Sequence, residues 1–236
     1  MPEDHFGEAV ASHYDEDAAD MFDPAVVGPA VDFLAELAGD GPALELGIGT
    51  GRIALPLSAR SVRVAGIDLS EAMVARLRAK PGAERIDVTI GDFATTRVEG
   101  AFSLAYVVFN TIGNLTTQDE QVACFANVAA HLEPGGCFVI ELGLHGGGPL
   151  EVFDLSDRHV GVDEYDAATQ RLVSHHFTLV GGRWERVSMP FRSVGPGELD
   201  LMARLAGMSL RERWGGWNCE PFTSESTKHV SVWEKT

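Results

Sequence analysis

The chain has 236 residues, 45% of them hydrophobic, and a formal net charge of −17. That is one domain, or one domain with an insertion, holding ample apolar material for a core. Twelve Asp or Glu and no Lys or Arg fall within residues 1–51, from Glu3 to Glu45. Such a stretch repels phosphate backbones and argues against nucleic acid as a partner. Its ordinary meaning is a solvated acidic surface; its functional one is attraction for a cationic substrate or cofactor. There is no apolar run of about 18 residues that would span a membrane. The N-terminal stretch also lacks the basic-then-apolar order of a secretory signal, so the expected location is cytoplasmic. Cys124, Cys137 and Cys219 are scattered without zinc spacing, which suggests buried free thiols and no metal site.

In chain order, residues 1–20 are polar and weakly patterned around Tyr14-Asp15. Asp23-Pro24 then reads as a helix start, with Asp as cap and Pro in the first turn. Val27, Ala30, Val31, Leu34 and Ala38 follow at helical spacing, Pro29 delays or bends the helix start, and Gly39-Asp40-Gly41-Pro42 stops the helix. Strands are predicted at Ala43–Leu46, Val62–Asp68, Ile86–Ile90, Phe102–Phe109 and Cys137–Leu142. Helices are predicted at Ile53–Ala59, from Ser70 through Leu77, and at Gln118–Leu132. The βαβ alternation implies a parallel sheet with right-handed crossovers.

After Gly143 the pattern changes. Residues 160–192 alternate apolar and polar, and Gly181-Gly182 divides two such runs as a hairpin would. Residues 144–195 therefore read as a two- or three-stranded antiparallel insertion. It leaves the fifth strand at the carboxyl edge of the sheet, where ligands bind. It is expected to be a lid over a substrate pocket, a homodimer contact, or both. Residues 1–143 and 196–236 form the α/β core with an N-terminal helical segment. Its last parts are a helix from Pro196 that ends before Gly207 and strands at Ser209–Trp214 and His229–Glu234.

The stretch with most chemical content is Ala43-Leu44-Glu45-Leu46-Gly47-Ile48-Gly49-Thr50-Gly51-Arg52-Ile53. An apolar strand enters a loop with glycine at alternate positions, and a helix leaves it. This is a nucleotide cradle, with helix N–H groups aimed back at the ligand. The dinucleotide fingerprint G-x-G-x-x-G is not met, because Arg52 stands where its last glycine would be. Glu45, inside the strand, repels a pyrophosphate and suits a positively charged ligand. Asp68, at the end of the second strand, is placed to accept two ribose hydroxyls. Gly91-Asp92-Phe93 closes the third strand with another acid beside an aromatic.

Glu-Leu-Gly-x-Gly-Thr-Gly, the strand-end Asp68, Gly-Asp-Phe at 91–93 and the Leu-x-Pro-Gly-Gly stretch from Leu132 to Glu141 together resemble the class I S-adenosylmethionine-dependent methyltransferases. The likeness covers most of residues 40–143. It implies a Rossmann-like seven-stranded mixed sheet with the last strand antiparallel, S-adenosyl-L-methionine as cofactor and methyl donor, and a small-molecule acceptor of the metabolite or natural-product kind. On this basis Gly47, Gly49 and Gly51 form the cofactor floor. Arg52 is a partner for the methionine carboxylate and Glu45 for the amino end. Asp68 holds the ribose, Leu69 and Met73 line the adenine side, and Gly91-Asp92-Phe93 meets the adenine. Tyr14 lies over the cofactor, and Phe109 is beside its methyl group. Such a reaction needs positioning more than a catalytic triad.

Asn110 is expected either to grip a target nitrogen through its carbonyl oxygen or to cap its loop. One of the neighbours His175 and His176 faces the pocket and is a candidate general base. Trp184, Trp214 and Trp217 are candidates for an aromatic pocket or for packing. The insertion and the C-terminal helix resemble those of N- and O-methyltransferases of metabolites, with N slightly favoured. The alternatives are an NAD-dependent oxidoreductase, disfavoured by Glu45 and the missing glycine, and a cofactor-binding protein without catalysis.

Overall fold

The computed structural model describes residues 4–236; Glu3, the first acid of the N-terminal run, lies outside them. The N-terminal segment is more ordered than its weak pattern suggests. It forms short helices α1 (Glu8–Ala11) and α2 (Tyr14–Asp17) and a 3-10 turn, Ala19–Phe22. Then follow α3 (Pro24–Ala38), β1 (Ala43–Leu46), α4 (Ala54–Ala59), β2 (Val64–Asp68), α5 (Glu71–Arg78), β3 (Asp87–Ile90) and β4 (Phe102–Val107). After a 3-10 turn at Thr111–Asn114 come α6 (Gln118–His131) and β5 (Leu132–Gly143).

Local chemistry sets these boundaries. Asp23 accepts the Ala25 N–H at 2.8 Å to cap α3, which runs through Pro29 uninterrupted. Ser70 caps α5, and Thr117 with Glu120 forms a capping box on α6.

The seven-stranded sheet has the order β10-β11-β5-β4-β1-β2-β3, where β10 is Met208–Trp214 and β11 is Lys228–Lys235. β1 to β5 pair in parallel. The last strand, β11, is antiparallel to both neighbours. Strand β4 alternates between the two cores. Leu104, Tyr106 and Val108 pack with α3 and α4 residues such as Leu34 and Leu57, whereas Ala105 and Val107 pack with Phe125 of α6 and Leu199 of α7 (Pro196–Leu205). Both faces of the sheet are thus covered, as continuous apolar strands require. Cys124 and Cys137 are buried; Cys219 is exposed, contrary to expectation, in the loop before β11. No helix among the described residues is long and apolar enough to cross a membrane.

The segment between β5 and α7 is a separate sheet of four strands, not two or three, in the order β6-β7-β8-β9. They are β6 (Leu150–Leu155), β7 (His159–Asp166), β8 (Arg171–Val180) and β9 (Arg183–Arg192), all antiparallel. The additional strand is β6, whose residues are all exposed and so carry no burial alternation. β9 docks the sheet on the core: Phe191 and the Arg192 carbonyl pack against Gly113 in the 3-10 turn after β4. Arg192 is 5% exposed and bonds Gln121, Gln170 and Glu198.

Candidate active site

The loops after β1, β2, β3 and β4 converge at one sheet edge. Gly47, Gly49 and Gly51 all have positive φ (72°, 54° and 83°). A side chain at Gly51 would also meet Leu77 Cδ1 at 2.3 Å, and one at Gly47 would meet Thr111 Cγ2 at 2.5 Å. The loop is therefore a tight cradle that only glycine can line. Asp68, 8% exposed, accepts the Gly49 N–H at 2.6 Å through Oδ2 and the Ser70 N–H at 2.8 Å through Oδ1. Burial pushes its carboxyl upward, and these two N–H groups pull it back.

Glu45 lies beneath the loop, 3% exposed, and accepts the Tyr106 hydroxyl at 2.9 Å. Burial raises its pKa to about 8, opposed by Tyr106 and Arg52. A buried acid of this kind ionises when a cation arrives beside it, which suits an ammonium and gives a pyrophosphate nothing, so the dinucleotide alternative is not favoured. Arg52 stands over the Phe109 ring at 4.8 Å. Phe109 and Asn110 are consecutive non-glycine residues with positive φ, 56° and 62°. This strained turn is clamped from β5: Glu141 accepts the Phe109 N–H at 3.2 Å and the Trp217 indole N–H at 2.9 Å. Strain so held is a common mark of a functional site.

The N-terminal segment straps over this edge. The Ser70 hydroxyl donates to the Phe6 carbonyl at 2.8 Å, Arg76 pairs with Glu8, and Asp15 takes both the Thr50 hydroxyl (2.6 Å) and Lys80 (2.5 Å). Tyr14 is thereby brought beside Arg52, and burial raises its pKa. Tyr14, Arg52 and Phe109 roof a space of about 40 Å³ above Glu45 and the glycines. A nucleoside-sized ligand needs several hundred Å³, so the roof must move to admit one. A larger cavity, about 470 Å³, lies on the other side of Arg52 between Phe22, Val27 and Leu55. Asp68 and Glu45 do not line it.

Several expected site residues have other duties here. Asn110 Oδ1 accepts the Gly143 N–H at 2.6 Å, so its carbonyl oxygen ties the ends of β4 and β5 together rather than gripping a nitrogen. Phe93 is 7% exposed and packs with the core, its Cε1 3.9 Å from where a Cβ on Gly47 would be. Met73 is 3% exposed and supports Gly49 from below, its Cε 3.5 Å from where a Cβ would be. Leu69 is half-buried beside Asp68. Gly91 is glycine because Thr96 Oγ1 fills its side-chain space at 2.2 Å, and its N–H donates to the Asp68 carbonyl at 2.8 Å. Asp92 accepts the Ala94 N–H at 2.8 Å and starts the next turn. Trp184 is 52% exposed, while Trp217 packs edge-on against Phe33.

His175 and His176 point to opposite faces of the second sheet. His176 is opposite Gly161 and Val187, on the face that includes Ser174, Asp163 and the docked Phe191. That face turns toward the core where Phe191 meets Gly113, and burial lowers the pKa of His176. His175 is on the outer face, bonded to Ser188 at 2.8 Å, and leaves the set of candidate bases. Tyr106 and Asp163 carry no local signal in the sequence. Tyr106 is opposite Glu45 in the β1–β4 register, a relation visible only once the strands are paired.

The donor set fits S-adenosylmethionine: a glycine cradle that a Cβ would fill, an acid for hydroxyls, a buried acid for an ammonium and an arginine for a carboxylate. A methyltransferase-domain family profile matches residues 43–136. The solved structure of the CcbJ methyltransferase from Streptomyces caelestis is 35% identical, covers 93% of this chain and 96% of its own, and superposes with a TM-score of 0.82. The cypemycin N-terminal methyltransferase from a Streptomyces species is 28% identical over 95% of this chain and 98% of its own length. The dTDP-3-amino-3,4,6-trideoxy-alpha-D-glucopyranose N,N-dimethyltransferase of Streptomyces venezuelae is 32% identical over 54% of this chain and 58% of its own. With the mixed seven-stranded sheet and the cradle described above, these relationships place the chain in the class I S-adenosylmethionine-dependent methyltransferases that act on small molecules.

Proposed function

We propose that this enzyme methylates an amine nitrogen of a small acceptor, an amino sugar or a short peptide with a free N-terminus. The observation that carries this reading is the polar face of the second sheet. There Asp163 Oδ1 is buried without a hydrogen-bond partner among the described residues, on the same face as His176 in the β7–β8 register. Such a surface asks for N–H donors and positive charge, which an amine brings and a phenol does not. The names of two relatives, an N-terminal methyltransferase and an amino-sugar N,N-dimethyltransferase, support the same choice.

Bound S-adenosylmethionine supplies a methyl group already activated on a sulfonium. The chain's own contribution is placement. Gly47, Gly49 and Gly51 let the backbone approach, Asp68 accepts the ribose hydroxyls, and Glu45 and Arg52 take the amino and carboxylate ends. Asp92 accepts from the adenine, and Tyr14 and Phe109 close over the cofactor from either side. Residues 144–195 act as the lid that selects the acceptor. The outer face of that lid exposes Leu150, Val152 and Trp184 (66%, 60% and 52%) and is the surface for a second copy of the chain.

Incubation with a deuteromethyl donor and a panel of aminodeoxyhexosides, short peptides and phenols tests the reading. Methyl transfer to nitrogen is expected; transfer confined to phenols would refute it.

A further inference from the structure

The core-facing side of the second sheet holds a continuous chain of polar groups. Asp154 Oδ2 is 2.5 Å from His159 Nδ1, and His159 Nε2 is 3.1 Å from His176 Nδ1. The rings of His159 and His176 are 5.3 Å apart, and Phe153 packs on His176 at the same centroid distance. This order dictates the tautomers. A carboxylate only accepts, so His159 carries its proton on Nδ1 and presents a lone pair at Nε2. His176 must then donate from Nδ1, which leaves the lone pair on its own Nε2. Among the described residues its hydrogen-bond partner is the Ser174 hydroxyl at 3.4 Å, a long contact that does not consume it.

We propose that His176 Nε2 receives the proton lost by the acceptor amine, and that His159 and Asp154 are positioning residues that set its tautomer. This rests on the amine reading given above. The acceptor enters as an ammonium: one N–H bond breaks toward Nε2, and its electron pair stays on the now neutral nitrogen, free for attack on the methyl carbon. The imidazolium so formed can pass the Nδ1 proton to His159 Nε2, where the charge meets Asp154. The Asp154 side chain is 48% exposed and opens the relay to solvent, so the proton has an exit. The charged groups facing His176 are His159 and Asp163 from β7, Asp154 from β6 and Asp17 from α2; burial and His159 hold its pKa below the usual histidine range, which keeps the lone pair free at neutral pH.

The test uses the full chain with ¹⁵N-labelled histidine and S-adenosylhomocysteine added. His176→Gln identifies the resonance. NMR should show His176 as the Nδ1–H tautomer, the opposite of the form free imidazole side chains favour. Asp154→Leu, which takes away the acceptor at His159 Nδ1, should lift that preference. With the amine acceptor found in the panel, His176→Gln should lower kcat about 100-fold with S-adenosylhomocysteine affinity unchanged. Asp154→Asn should shift the acid limb of the pH–rate profile to lower pH, which a purely structural role would not do. An Nε2–H tautomer in the wild type, or pH profiles that coincide, overturns the relay even if amines are methylated. If no amine in the panel is methylated although S-adenosylhomocysteine binds, the proposed function falls and the role of His176 as proton acceptor falls with it.

Discussion

Asp68 Oδ2 accepts the backbone N–H of Gly49 at 2.6 Å, joining the end of β2 to the middle of the glycine loop. One carboxylate thus shapes the cradle and offers its remaining lone pairs to a ligand. Asp68→Ala should remove charge-assisted bonds of about 1.5–3 kcal/mol each. Calorimetry with S-adenosylhomocysteine should show affinity reduced by at least tenfold, with the fold retained by circular dichroism. An unchanged dissociation constant would separate Asp68 from the ribose.

Glu45 gives the protein a pH signature. Its folded pKa, about 8, stands above the ordinary 4.5. The folded state therefore holds a proton that the unfolded state has lost between those values, so the contribution of Glu45 to stability is full below pH 4.5 and declines as pH rises toward 8. The slope is at most about 1.4 kcal/mol per pH unit. Glu45→Gln should abolish it: melting curves of variant and wild type, taken from pH 5 to 8, should diverge in favour of the variant. The same variant should bind cofactor more weakly. Parallel curves would show that Glu45 is ionised in the folded protein.

Phe109 pairs a strained backbone with a ring beneath Arg52. Phe109→Gly removes the strain and the ring together, whereas Phe109→Ala removes only the ring. The glycine variant should be the more stable of the two by about 1 kcal/mol in urea unfolding. Both should bind cofactor less tightly than wild type. Equal stability of the two variants would mean that the left-handed turn is not kept in solution.

Asp15 pins the strap to Thr50 and Lys80. Asp15→Ala should raise the dissociation rate of S-adenosylhomocysteine several-fold in stopped-flow fluorescence. The change in stability should be small, because the ion pair is part-exposed. An unaltered rate would show that the strap does not gate the cofactor.

Much of the architecture is legible in the sequence because its signals are local. Asp23, Ser70 and Thr117 announce helices that begin where they cap them. The apolar run from Phe102 marks a strand buried on both faces. What escapes is non-local. β6 is exposed at every position, so it has no burial pattern to read. Asn110 reads as a ligand group or as a loop cap until Gly143 is seen beside it. Phe93 and Met73 are both buried yet reach the glycine cradle, and only the packing of α5 and of the loop after β3 brings them there. The His159–His176 contact needs the β7–β8 register, in which Gly161, not His159, is directly opposite His176.

The most direct test of the central claim is mass spectrometry of acceptor amines after incubation with the purified chain and trideuteromethyl-labelled S-adenosylmethionine. Label on a nitrogen of an amino sugar or peptide, reduced at least tenfold by Asp68→Ala at limiting donor, is the predicted result. Label found only on oxygen, or no transfer to any amine while calorimetry shows the cofactor bound, would contradict it.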